Sequence, residues 1–250
     1  YRTEVLDECK DEDGFVSDPN FLEWSLPYLN DSKLLDSDDY NPSYHISTTD
    51  NLKINGYLIN ESGERLQLFI VDEDSISLGM DEEAILNSQK ANYDQHFNRA
   101  LKFLTKAIRR HLNDEIQDSS PAKTLVNFLA SKEGQDQIDV VEIFLLSATI
   151  TVERRGTEPY PKSIDFADDK ILVNQVTRKG EKQTKEIAVY KRLIDLNFLY
   201  NIMISQGNRE PLNVEFSNFY YRKVEILQAA AESHFESYLC VLSAPFLYEL

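Results

Sequence analysis

Residues 51–74 read NLKINGYLINESGERLQLFIVDED, and this stretch decides the fold. Leu52, Ile54, Gly56 and Leu58 alternate with Lys53, Asn55, Tyr57 and Ile59. After the turn Glu61-Ser62-Gly63-Glu64, the residues Leu66, Leu68 and Ile70 alternate with Arg65, Gln67, Phe69 and Val71. Two period-two runs joined by a short turn containing glycine predict a β-hairpin. The second run is apolar on both faces from Leu68 to Val71, as expected for a strand covered on both sides.

A hairpin of this kind is where many metal-dependent nucleases carry their chemistry. One strand supplies an acidic residue, and the next supplies a (D/E/Q)-x-K triplet. The acids hold a divalent ion, and the lysine stabilises the attacking hydroxide. The corresponding positions here read Asn55-Gly56-Tyr57 and Ile70-Val71-Asp72. An amide stands for the first acid, isoleucine for the second ligand and aspartate for the lysine. The residues predict the scaffold with a degenerate site.

The motif order resembles the amino-terminal region of the abortive-infection phage-resistance (AIPR) proteins of bacteria. The resemblance rests on Lys53–Tyr57, Leu66–Ile70, Leu193–Tyr200, Arg209–Phe216 and Tyr238–Ser243, spread over most of the chain. It implies a restriction-endonuclease-like enzyme with Asp-Gly and Gln-x-Lys on this hairpin. The present sequence departs from both at Asn55, Ile70 and Asp72.

Working outward, the amino-terminal 40 residues predict a helical segment packing on the core. A short helix lies within 1–13, a turn at Asp18-Pro19-Asn20, and a second helix runs from Phe21 to near Leu35 with Phe21, Leu22, Trp24, Leu26 and Leu29 as its buried stripe. Glu23 is the position from which a helix carboxylate would join a metal site, although a solvent-facing glutamate is the commoner use of such a residue. Tyr44–Ser47 reads as a strand. The run Asp81–Asn113 reads as the longest helix, best over 93–112, where Phe97, Leu101, Leu104, Ile108 and Leu112 share a face. Another helix follows Ser119-Ser120-Pro121. Val140–Leu146 reads as a buried strand, Ile171–Val176 as an irregular one, and Ile187–Tyr190 as a strand feeding a helix over 191–205. Strands at 212–216 and 237–243 complete the count. The expected architecture is α/β, a mixed central sheet flanked by helices with an αβββαβ core. The core domain would span 41–245, with 246–250 starting the connection to a further domain of a longer polypeptide.

The chain of 250 residues carries 43 Asp and Glu against 26 Lys and Arg, a net charge of −17. That average repels nucleic acid, so any such contact needs a local basic feature. One candidate is the stripe Arg99, Lys102, Lys106 and Arg109, with Arg110 beside it. Asp50, Asp72 and Asp74 are the carboxylates that a nuclease with relocated ligands would use, with Mg²⁺ as its cofactor; the degenerate-site reading expects none. The four histidines, His45, His96, His111 and His234, share no ligand spacing. The triplet Glu8-Cys9-Lys10 matches E-x-K by composition but precedes the core. Cys9 and Cys240 suggest neither a disulfide framework nor a zinc site. No apolar run is long enough to span a bilayer, so a cytoplasmic protein is expected. These observations point to a non-catalytic recognition or regulatory module of a phage-defence protein, with a metal-dependent nuclease or a self-association domain as alternatives. The expected partners are the remainder of its own polypeptide, another copy, nucleic acid or a phage component.

Overall fold

The structure is a computed structural model and describes residues 1–77, 88–155, 158–176, 182–204, 225–232 and 235–241. The chain divides into two compact units, Tyr1–Glu210 and Pro211–Leu250. In the first, helices α1 (Arg2–Glu8) and α2 (Asp18–Asp31) precede strands β1 (Asn41–Ser47), β2 (Leu52–Ile59) and β3 (Arg65–Val71). Helices α3 (Lys90–Ile108), α4 (Lys123–Ala130) and α5 (Lys132–Gln137) lead to β4 (Val140–Leu146). A small antiparallel pair, β5 (Val152–Arg155) and β6 (Glu158–Pro161), is followed by β7 (Asp169–Val176), β8 (Lys182–Ile194) and α6 (Leu196–Ile204).

One six-stranded sheet in the order β1-β2-β3-β4-β8-β7 organises this unit. Its centre, β3-β4-β8, is parallel, and the flanking pairs are antiparallel. Parallel strands are covered on both faces, and β3 and β4 are apolar through most of their length for that reason. One face packs Leu66, Leu68, Ile70, Val141, Ile143 and Leu145 beneath α3 and α4. The other packs Phe69, Val71, Phe144 and Leu146 beneath α1, α2 and α6.

Several local signals set these elements. The Asp18-Pro19-Asn20 sequence does not break a helix as expected; it forms the first turn of α2. Ser17 caps that turn by accepting a hydrogen bond from the Asn20 amide, and proline is favourable there because the first amides of a helix lack intrahelical acceptors. Helix α3 stops at Ile108, four residues before the end of the apolar pattern. Arg110 adopts φ 65°, and the His111 amide bonds back to the Lys106 carbonyl at 2.9 Å, closing the last turn. The expected helix over 191–205 is shorter. Strand β8 continues through Lys191 and Arg192 to Ile194 because β4 pairs with it from Ala188 to Ile194. Asp195 then caps α6, its Oδ1 accepting the Phe198 amide at 2.8 Å. The expected irregular strand at 171–176 is β7, which pairs with β8 in regular antiparallel register.

The β2–β3 ladder spans only Gly56–Phe69 to Ile59–Leu66. Gly56 is there for want of room. A Cβ on it would lie 2.5 Å from Tyr40 Cδ2 and 3.0 Å from the Asn41 carbonyl oxygen. The Tyr40 ring is itself held edge-on against Phe69, with centroids 6.2 Å apart. Gly56→Ala is therefore expected to cost about 1–3 kcal/mol through overpacking, read as a lower urea midpoint. An unchanged midpoint would mean that Tyr40 swings aside freely.

In the second unit, β9 (Glu225–Glu232) and β10 (Phe235–Val241) form a two-stranded antiparallel sheet with a register shift between Ser237 and Tyr238. The strand expected at 212–216 and the segment 246–250 lie outside the described residues, as do 81–87 of the expected long helix. No helix among the described residues is long and apolar enough to cross a membrane.

Candidate functional site

The carboxyl ends of β3 and β4 gather the polar groups that the core otherwise excludes. Lys53 on β2 is fully buried. Its ammonium meets Asp18 Oδ2 at 2.6 Å and Glu73 Oε2 at 2.6 Å, and donates to the Val71 carbonyl at 2.8 Å. Three oxygen acceptors, two of them carboxylates, satisfy all three of its N–H donors. Burying an ammonium is expensive unless it is paired and fully hydrogen-bonded, and this arrangement meets both conditions.

Asn55 sits where the β2–β3 ladder ends. Its Oδ1 accepts the Val71 amide at 2.8 Å, and its Nδ2 donates to Asp18 Oδ2 at 2.9 Å. The side chain thus replaces a ladder bond at one end and braces a carboxylate at the other. Only an amide performs both, since a carboxylate has no proton to give Asp18.

Glu73 carries a second cation. Arg99 on α3 donates from Nη1 to Glu73 Oε1 at 2.7 Å. Burial alone would raise the Glu73 carboxyl, but the hydrogen bonds from Lys53 and Arg99 outweigh it and bring it from 4.5 to about 2. An open cleft of about 430 Å³ lies against this cluster, lined by Ser17, Asp18, Tyr44, Glu73, Ile76 and Ser77 among others.

Asp72 faces a different set of groups. Its Oδ2 accepts from Ser147 Oγ at 2.8 Å, and its Oδ1 lies 3.3 Å from His96 Nε2. Burial pushes this carboxyl up, and His96 and Ser147 together hold it below the ordinary value. From Ser147 a buried chain of hydroxyls runs through Thr149 at 2.7 Å to Tyr93 at 2.8 Å. At the next parallel strand end, burial raises the Asp195 carboxyl to about 6 despite the amides that cap it. Among the described residues, no three His, Cys, Asp or Glu side chains are grouped to hold a metal ion.

The residues singled out on sequence grounds are thus dispersed. Ile70 lies in the core on the α3 face. Asp50 pairs with Lys106 at 2.7 Å, and Asp74 is exposed. Within the basic stripe, Arg99 is spent on Glu73 and Lys106 on Asp50, and Arg110 donates from Nε to the Ala130 carbonyl at 2.9 Å. Lys102 and Arg109 are exposed. Glu23, also exposed, accepts from the Tyr40 hydroxyl. Glu8 accepts from Trp24 and Lys10 pairs with Asp7, so that triplet belongs to the α1–α2 surface. His45 packs against Phe103, and His234 lies outside the described residues. Sequence spacing points to neither Lys53 nor Asp18 as a site residue, and it gives no sign that Glu73 and His96 meet these partners. The one signal for Lys53 was a charged residue inside an otherwise covered strand.

The family model for the abortive infection phage resistance protein N-terminal domain matches residues 21–201, well over half of the chain. The chain belongs to this family. The matched span begins inside α2 and ends inside α6, so it holds the whole six-stranded sheet and α3 to α5 and leaves α1 outside. The family's description makes this a module of a phage-defence protein. No curated protein and no solved structure matches the chain.

Proposed function

We propose that this domain is a non-catalytic recognition or regulatory module of a bacterial phage-defence protein, built on a restriction-endonuclease-like core whose site has been closed. The element order α2-β1-β2-β3-α3-β4 supports that core, with β1 to β3 antiparallel and β4 parallel to β3. The observation that carries the reading is Lys53. Its ammonium draws together two carboxylates and a backbone carbonyl, the kind of oxygen set a hard divalent ion takes. The protein supplies its own cation at the place where such a hairpin would bind one. An internal ammonium neutralises Asp18 and Glu73 but carries no water to activate. Asn55, Ile70 and Asp72 supply no substitute, being committed to Asp18 and Val71, to the core, and to Ser147 and His96 respectively.

A nuclease with relocated ligands has less support. Asp50 is tied to Lys106, and Asp72 and Asp74 stand in different surroundings despite being neighbours in sequence. In this reading the domain works in the cytoplasm with the rest of its own polypeptide. The deciding experiment incubates the protein with single- and double-stranded DNA and RNA in Mg²⁺ or Mn²⁺. No cleavage is expected; cleavage that Asp72→Ala abolishes would overturn the proposal.

A further inference from the structure

On the sheet face carrying α1, α2 and α6, the rows of β3, β4 and β8 change character along the strands. Toward the carboxyl ends the rows are apolar, with Val71, Leu146 and Ile194 in one and Phe69 and Phe144 in the next. Toward the amino ends the register places Gln67, Glu142 and Tyr190 side by side, then Arg65, Val140 and Ala188. Glu142 is buried, and two arginines converge on it from opposite corners. Arg192 donates to Oε1 from Nε at 2.8 Å and lies 2.7 Å away through Nη2, while Arg65 Nε lies 3.3 Å from Oε2. Gln67 also donates to Oε2, at 3.0 Å. Both arginines keep 43% of their side chains exposed, and Tyr190 keeps 38%. On β7, Leu172 is 64% exposed, and Lys170 pairs across β8 with Glu186.

Arg192 alone, with two donors on one oxygen, would neutralise Glu142. The second guanidinium exceeds what burial requires. The terminal nitrogens of Arg65 and Nη1 of Arg192 have no protein partner among the described residues. Arg65, Lys170 and Arg192 outnumber Glu142 and Glu186 by one positive charge, while the loop whose Leu34 carbonyl accepts from Gln67 at 3.0 Å carries Asp36, Asp38 and Asp39 on a chain of net −17. In the basic stripe, by contrast, Arg99 and Lys106 on α3 are paired with carboxylates, and Arg110, just past the helix, is bonded to the Ala130 carbonyl.

We infer that the half-exposed rim of this face, formed by Arg65, Arg192 and Tyr190 around the buried Glu142, binds single-stranded nucleic acid, with Arg65 and Arg192 taking phosphates and Tyr190 stacking on a base. Guanidinium forks match phosphate oxygens, and Glu142 fixes both forks in advance, which lowers the ordering cost of binding. An aromatic ring on an exposed sheet offers a base-stacking platform that tolerates any sequence. The inference is independent of whether the Lys53 site is inert, because the two lie on different parts of the sheet.

Fluorescence anisotropy with labelled oligothymidylate and oligouridylate at low salt tests it on the whole chain. Binding is expected, falling steeply with salt. Tyr190→Ala should weaken it roughly 5- to 150-fold. Arg65→Ala should weaken it further at every salt concentration and lower the salt slope by about one. Because Arg192→Ala would strand a buried carboxylate, the paired variant Arg192→Gln/Glu142→Gln is used there, with its fold checked by circular dichroism, and should lose about tenfold or more. Lys102→Glu/Arg109→Glu should have a smaller effect than any of these. The inference fails if the wild-type protein does not bind. It fails equally if Tyr190→Ala and Arg65→Ala leave binding unchanged, or if the helix variant is the more damaging. Equal binding of polyglutamate, with the same sensitivity to Arg65 and Tyr190, would assign the face to an acidic protein segment and overturn the nucleic-acid assignment.

Discussion

Lys53→Met should destabilise the protein by about 3 kcal/mol, measured by urea unfolding at neutral pH. The methionine fills the same volume, so the cost is electrostatic. Asp18 and Glu73 are left facing each other without the ammonium between them, and the Val71 carbonyl loses its donor. Removing one member of a buried ionic cluster typically costs roughly 3–5 kcal/mol. The low end applies because Glu73 is about one third exposed and water can partly replace the lysine. The pH dependence gives a second handle. Glu73 titrates at about 2 in the folded protein against an ordinary 4.5. A depressed carboxyl contributes stability above the unfolded value and loses it as pH falls through the folded one. The gap between wild-type and Lys53→Met should therefore be full above about pH 4.5 and close as pH drops toward 2. Adding Asp18→Asn to Lys53→Met should recover part of the loss, since the two positions act as one unit. A variant as stable as the wild type would mean that the ammonium does not hold the carboxylates together.

Asp72→Ala should cost about 2–3 kcal/mol, a drop in Tm of roughly 5–10 °C for a chain of this size. The side chain is buried and serves Ser147 and His96 at once. His96 Nδ1 already has no hydrogen-bond partner among the described residues, so losing Asp72 would leave the whole imidazole unsatisfied between α3 and β3. Asp72→Asn should cost less, because the amide oxygen still accepts from Ser147. Equal losses for the two variants would show that packing, not the hydrogen bonds, is what Asp72 supplies.

These two sites also mark where reading the sequence succeeds and where it stops. Alternation of Leu66, Leu68 and Ile70 with Gln67, Phe69 and Val71 locates β3, and the dense apolar run 140–146 locates β4, because periodicity is a local property of the chain. The same logic cannot find Lys53. Alternation assigns it to a face but cannot reveal that Asp18 and Glu73, 35 and 20 residues away in sequence, converge on it. The helical spacing holds for Arg99, Lys102 and Lys106 on α3 but not for Arg109 and Arg110, which follow its end, and spacing cannot show that Arg99 and Lys106 are spent on carboxylates. The apolar pattern of β8 stops at Tyr190 because Lys191 and Arg192 interrupt it. They occupy faces where Asp169 and Glu142 receive them, a long-range arrangement that no window of neighbouring residues contains.

The length of β8 bears on how the domain responds to pulling. Its 13 residues are laced to β7 along the amino-terminal part and to β4 along the carboxyl-terminal part, and α6 follows directly. Tension arriving from the α6 side runs along the strand axis, so the hydrogen bonds to both neighbours are loaded together in shear and do not peel one at a time. Rupture under such a load is set by the unfolding rate and not by equilibrium stability. A tug on the downstream chain would then reach the parallel centre of the sheet through a stiff tether, with little slack before the domain itself must yield.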